Sequence, residues 1–215
     1  MIQLHYHPSN ASLTPHILLR ELGVPFELKY VDRANGAHKS PEYLKLNPNG
    51  LIPVLVDGDL VLFETAAIVL HLVDTHPQAG LAPPVGGAER ALFYRWLVWL
   101  SSSLQAQMPL YFYSDRYVAA GNVDGAAQVK ATTEARIAGL VDQIEAQLAS
   151  HGGPWLLGHA YSALDPYVFM LCRWTRGASR PARTLAHIGP YLARMLARPA
   201  LQKTLEVEQL QPPFI

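Results

Sequence analysis

The chain has 215 residues, half of them hydrophobic and 16% charged, with 17 basic side chains against 17 acidic ones. That length supports one or two domains with a large core. The even charge offers no basic excess for nucleic-acid phosphates, and no apolar run approaches the roughly 20 residues of a membrane helix. The single cysteine, Cys172, excludes an intrachain disulfide, and the N-terminus lacks a basic-then-apolar signal pattern, so a reducing cytoplasm is expected.

Residues 2–7 alternate like a strand, and residues 8–12 read as a turn. Thr14-Pro15 is a helix-start signal, with Thr14 as N-cap and Pro15 at the first helical position. Ile17, Leu18, Leu19 and Leu22 then share one helical face, and Gly23 ends it. Residues 26–31 predict a second strand. Residues 32–48 are polar and loop-like, with a short helical piece over 41–46. Residues 54–56 and 60–63 predict a hairpin about a tight Asp57-Gly58 turn, followed by a helix over 66–74. This β-α-β, β-β-α order is self-contained.

Pro and Gly cluster between Pro77 and Gly87, which marks a linker over 79–87 between a first domain of residues 1–78 and a second of 88–215. Beyond it strand signals vanish. Leu92, Phe93, Trp96, Leu97, Trp99 and Leu100 set a helical period over 88–107, and Ile137, Leu140, Val141, Ile144 and Leu148 set another over 128–150. Ser162 and Asp165 form a reciprocal capping pair before an apolar helix through Trp174, with Asp replacing the usual Glu or Gln. Further helices are predicted over 184–197 and 199–206.

Several candidate groups carry little chemistry of their own. His5-x-His7 would share a strand face but lacks a third ligand at metal spacing. Cys172 reads as an inert core thiol, and Trp96, Trp99 and Trp174 read as core. Other features point to a ligand. Thr65 sits where a helix begins, so its hydroxyl and free backbone N–H groups suit a carboxylate. A cis bond at Ile52-Pro53 would present the backbone of Ile52 as an unpaired strand edge. Capping alone and a proline that opens an edge strand are the plainer readings of these two features.

Three segments, in order and at matching spacing, resemble the bacterial cytosolic glutathione transferases, and the likeness runs over essentially the whole chain. They are Tyr6-His7-Pro8-Ser9-Asn10-Ala11-Ser12-Leu13-Thr14-Pro15-His16, Asn47-Pro48-Asn49-Gly50-Leu51-Ile52-Pro53-Val54-Leu55 with Glu64-Thr65, and Ser162-Ala163-Leu164-Asp165 with Arg173-Trp174. The resemblance implies an α/β thioredoxin-like N-terminal domain plus an all-α C-terminal helical domain, glutathione as co-substrate, no metal, and a homodimer. It implies that Leu51, Ile52 and Pro53 hold the cysteinyl part of glutathione. Thr65 would hold the γ-glutamyl carboxylate, Glu64 the adjacent ammonium, and Lys39 with His38 the glycine carboxylate.

Conjugation needs the thiolate, and a free thiol ionises near pH 8.5, so a donor at the start of the first helix would favour the anion. Ser12 or Asn10 is the expected donor, with Ser9 and Tyr6 in reserve. Ala11 stands where beta-class relatives carry a cysteine, so mixed-disulfide chemistry has no thiol here. Met108, Tyr111 and Phe112, with Tyr113 and Tyr117, suit a pocket for a hydrophobic electrophile, and core or dimer packing is the alternative. The expected function is therefore conjugation of glutathione to a hydrophobic electrophile, in detoxification. A glutathione-dependent isomerase or reductase, or a non-catalytic glutathione-fold binding protein, are the alternatives.

Overall fold

The computed structural model describes residues 1–215. The chain divides into two compact units: Met1–Ala82 together with Met195–Phe214, and Pro83–Arg194 with Ile215. The break at Ala82 lies inside the expected linker. The last twenty residues of the first unit, however, come from the segment that the sequence reading places in the helical domain.

The first unit is built on a four-stranded sheet of order β2-β1-β3-β4, with β1 at Ile2–Tyr6, β2 at Phe26–Tyr30, β3 at Val54–Asp57 and β4 at Leu60–Phe63. β1 runs parallel to β2 and antiparallel to β3. The parallel pair needs a crossover, which α1 (Leu13–Leu22) supplies, whereas β3 and β4 are joined by the two-residue turn Gly58-Asp59. Gly58 takes a φ of 60°, the left-handed conformation that such a turn favours. Leu4 and Leu55 face each other in the central pair and are fully buried. The short α2 (Pro41–Leu46) is capped by Ser40, whose hydroxyl accepts from Tyr43 N–H, and α3 (Thr65–Thr75) follows β4 directly. This is the thioredoxin-like arrangement.

Helix α1 begins two residues earlier than the sequence signal suggests. Ser12, not Thr14, is its N-cap, and Thr14 is buried within its first turn. Ser12 caps without a side-chain bond to the helix because its hydroxyl is turned back to His7.

The second unit is all-helical. α4 (Ala88–Trp99) runs through a π-helical stretch, Leu100–Gln105, into α5 (Ala106–Phe112). Pro109 sits inside α5, where it offers no N–H and crowds the carbonyl four residues back, that of Gln105 at the end of the widened stretch. α6 (Val123–His151) is longer than its apolar period indicates, because the Asn122 side chain caps it by accepting from Gly125 N–H. α7 (Leu164–Trp174) is buried on every side from Leu164 to Arg173, which explains its apolar composition.

The Ser162–Asp165 pair makes one half of the expected reciprocal cap: Asp165 accepts from the Ser162 N–H and hydroxyl, whereas Ser162 Oγ accepts from Leu164 N–H and the Asp165 N–H goes to Ser162 O. The cap residue itself is Ala163. Asp165 also accepts from Leu156 N–H and from the Tyr191 hydroxyl, so one carboxylate ties together three segments of this unit. α8 (Ile188–Leu196) starts later than predicted, after a 3-10 turn at Ala182–Thr184. α9 (Pro199–Val207) packs on α1 in the first unit. No helix is long and apolar enough to cross a membrane.

Candidate functional site

Strand register brings three of the predicted motifs to one end of the sheet. His5 pairs with Val54, and Val54 pairs with Phe63. The residues that leave the ladder at that end are therefore the turn after β1, the Ile52-Pro53 step before β3, and Glu64-Thr65 after β4. Ile52 packs in a small apolar cluster with Val31, Tyr43 and Val54, against which Phe63 also rests.

The Ile52-Pro53 peptide bond is cis, and the N–H and C=O of Ile52 lie outside every strand pair. The preceding carbonyl is held firmly: Leu51 O accepts from the Tyr43 hydroxyl and from Asn47 Nδ2, each at 2.9 Å. Burial pushes the Tyr43 hydroxyl pKa upward, so it remains a donor. Asn47 is buried, and its Oδ1 accepts from Asn49 N–H. Tyr43 and Asn47 thus brace the candidate site, a role that sequence reasoning missed; the Asn of Asn47-Pro48-Asn49-Gly50 was the available signal.

Lys39 is exposed, and its ammonium donates to Asn49 O at 3.0 Å, while His38 is half-buried. Gly50 lies against both, and a Cβ there would stand 2.7 Å from His38 O and from Lys39 Nζ. The close approach, together with a φ of 59°, requires glycine at this point.

Glu64 adopts a φ of 73°, a conformation that costs a non-glycine residue on the order of 1–3 kcal/mol. It is exposed and makes no side-chain bond to the helix it precedes. Thr65 is buried at the first position of α3, whose opening N–H groups have no intrahelical acceptor. A strained acid beside a bare helix N-terminus is an arrangement that can receive a zwitterionic amino-acid end: the carboxylate at the N–H groups, the ammonium at Glu64.

The turn between β1 and α1 is braced from within and from behind. The Ser12 hydroxyl donates to His7 O at 3.1 Å and accepts from His7 N–H at 3.3 Å, and the residue is fully buried. Its proton is therefore committed to the backbone. Asn10 Oδ1 accepts from Ala11 N–H at 2.7 Å, which assigns the amide orientation and leaves Nδ2 as the donor not used by that bond. Tyr6, the reserve candidate, packs edge-on against His16 and Tyr30, and burial, with a smaller effect of the Glu208 charge, raises its hydroxyl pKa.

Ser9 has a φ of 62°, and its N–H donates to Glu208 Oε2 at 3.0 Å. Arg20 Nε–H donates to His16 Nε2, so that imidazole carries its proton on Nδ1 and donates it to Glu208 Oε1 at 2.8 Å. Glu208 and His16 are both fully buried as side chains. Nothing in the local sequence marks Glu208, which meets the turn only because α9 folds back on α1.

In the helical unit, Tyr111 and Phe112 line a cavity of about 320 Å3 together with Lys130, Trp174, Arg176 and Gly177. Met108 is packed in the core and is not part of that lining. Cys172 is buried, and burial pushes its thiol up to about 12, so it takes no part in chemistry near neutral pH. No group of three or more His, Cys, Asp or Glu side chains converges as a metal site.

Residues 1–74 match the family model described as the glutathione S-transferase N-terminal domain. Over 209 residues the chain is 33% identical to a glutathione S-transferase, GST-4.5, of Xanthomonas campestris, covering 97% of this chain and all of that one. Among solved structures it is similar to a glutathione transferase homologue from Sulfitobacter with bound glutathione, at 25% identity and a TM-score of 0.88, covering 98% and 99% of the two chains. It is also similar to a bacterial beta-class glutathione S-transferase from Sphingomonas chungbukensis, at 27% identity and a TM-score of 0.82, covering 97% and 100%.

Proposed function

The chain belongs to the glutathione S-transferase family, and from that premise we propose how this glutathione transferase uses its residues. Glutathione lies at the end of the sheet where the three motifs leave the ladder. Its cysteinyl backbone pairs with the N–H and C=O of Ile52, flanked by Leu51 and Pro53, as an added strand would. Its γ-glutamyl carboxylate sits on the first N–H groups of α3 and the Thr65 hydroxyl, with its ammonium on Glu64. Its glycine carboxylate meets Lys39 and, more distantly, His38.

The thiolate then attacks a hydrophobic electrophile, forming a carbon–sulfur bond as the leaving group departs with its electron pair. Asn10 Nδ2 donates to the sulfur, because the Ser12 proton is already given to His7 O. Ser12 holds the turn that carries Asn10. Tyr111 and Phe112 receive the electrophile. The protein works as a homodimer in the cytoplasm, and detoxification of reactive small molecules is its proposed role. Ala11 at the beta-class cysteine position speaks against thiol–disulfide reduction.

The observation that carries this reading is Glu64, held at positive φ beside the unpartnered start of α3. Calorimetric titration of the purified protein with reduced glutathione tests it. Saturable binding of about one equivalent per subunit is expected, weakened roughly tenfold in Glu64→Ala by loss of a charge-assisted contact. Full affinity in that variant would remove Glu64 from the site, and no binding by the native protein would favour a non-catalytic role.

A further inference from the structure

The cavity of the helical unit combines aromatic walls with two cations and has no acid among its lining residues. Phe112 meets Trp174 edge-to-face at 6.1 Å between ring centroids and Tyr111 at 5.2 Å, so three rings form a fixed apolar surface. The Lys130 ammonium lies 5.3 Å from the centroid of the Tyr111 ring, a cation–π contact that holds the charge at the rim. Arg176 lines the same cavity from the turn after α7, and its Nη1 donates to Arg173 O at 3.1 Å, which orients the guanidinium and leaves other N–H donors open.

The acid nearest in sequence to Lys130, Glu134, accepts from Ser179 N–H and, though its charge reaches both Lys130 and the Tyr111 hydroxyl, it does not line the cavity. Gly177 also lines the cavity, and a Cβ there would meet no atom within 4 Å. A flat ring suits such a cleft, and two lining cations without a lining acid offer an anionic substituent charge-assisted contacts that a neutral ligand cannot use.

We propose that this cavity selects aromatic electrophiles bearing an anionic ring substituent, a carboxylate or sulfonate, and that Lys130 and Arg176 are its specificity-determining residues. The inference rests on the transferase reading above and narrows the substrate class of the same enzyme. The aromatic body packs on Phe112 and Trp174, and the anion bridges the ammonium and the guanidinium. In the reaction the glutathione thiolate attacks the ring carbon that carries a halide. The carbon–sulfur bond forms, the carbon–halogen bond breaks, and the halide leaves with the bonding electrons while the thiol proton passes to solvent. The anionic group is a handle and does not react.

The test compares a chloronitrobenzoate with its neutral carboxamide, each rate divided by the uncatalysed rate with glutathione. Both cations are solvent-exposed, so the native KM is expected to favour the carboxylate by about tenfold at low salt, with the preference shrinking as ionic strength rises. Arg176→Ala and Lys130→Ala are each expected to cut that ratio about threefold, and the double variant to abolish it. Lys203→Ala, an exposed lysine paired with Glu206 on α9, keeps the ratio intact. Turnover of both compounds with no native preference, or a preference that survives the double variant, overturns the proposal.

If neither compound is turned over, the transferase reading fails first. Calorimetric binding of the unreactive nitrobenzoate then still decides the cavity: saturable binding lost in the double variant upholds the anion site, and no binding, or unchanged binding in that variant, refutes it.

Discussion

Two side chains in the turn after β1 divide one task. The Ser12 hydroxyl spans the turn to His7, whereas Asn10 gives only its oxygen to the backbone and keeps its amide hydrogens. If Asn10 is the donor to sulfur, Asn10→Ala raises the thiolate pKa of bound glutathione by about one unit, the equivalent of 1.36 kcal/mol. Ultraviolet titration of the thiolate band in the binary complex reads this directly, and kcat near neutral pH should fall by up to about tenfold with little change in glutathione KM. Ser12→Ala instead loses a buried hydrogen bond, worth about 1 kcal/mol of stability, without raising that pKa. The reverse pattern would return the donor role to Ser12. The sign follows from the charge: a donor that favours the anion lowers the thiol pKa, so its removal raises it.

At the scale of elements, the turn is held by a helix nearly two hundred residues away in sequence. Glu208, just past α9, takes the Ser9 N–H and the His16 Nδ1–H, and Arg20 behind the imidazole supplies positive charge. A second tie, from Arg198 Nε and Nη2 to the Glu21 carboxylate, fixes the other end of the same helix pair. Glu208→Ala leaves a buried N–H and a buried imidazole without their acceptor, a loss of about 3 kcal/mol. For a chain of this size that corresponds to a fall of roughly 6–12 °C in Tm by calorimetry. Because Ser9 sits at positive φ, the same variant should also weaken glutathione binding through the displaced turn. A Tm within about 1 °C of native would show that α9 is not the brace, since even a single kcal/mol moves Tm by more than that here.

At the scale of the whole molecule, the unresolved demand of the surface is apolar. Leu92 and Val98 are exposed on α4, and Leu60 and Val61 are exposed on β4. A homodimer would cover such residues, and light scattering on the eluting protein should give twice the subunit mass. Val98→Asp places a charge on the exposed α4 face and should raise the dimer dissociation constant by roughly tenfold to a hundredfold, as a desolvated charge at an interface does. A monomeric native protein at micromolar concentration would sink the dimer and leave those residues as ordinary surface.

Local pattern alone carried the four strands, the crossover helix, the two-residue hairpin and the capping pair at Ser162 and Asp165. Each of these depends on neighbours within a few positions: a period of two or 3.6, a glycine at a turn, a hydroxyl three residues before an acid. The motif residues Ile52, Pro53, Glu64 and Thr65 stood out through the resemblance of their segment to the family's motifs, because local pattern alone also allowed an edge-strand proline and a plain cap. The sequence did not show what the Ser12 proton does, that Asn47 and Tyr43 hold the carbonyl before Ile52, that Met108 belongs to the core, or that Lys130 and Arg176 stand on one cavity. Nor could it place Glu208 against Ser9, since the two are 199 positions apart. These are matters of packing and of which hydrogen-bond partner wins, and they are decided only when distant segments meet and each buried polar group must find an acceptor or donor.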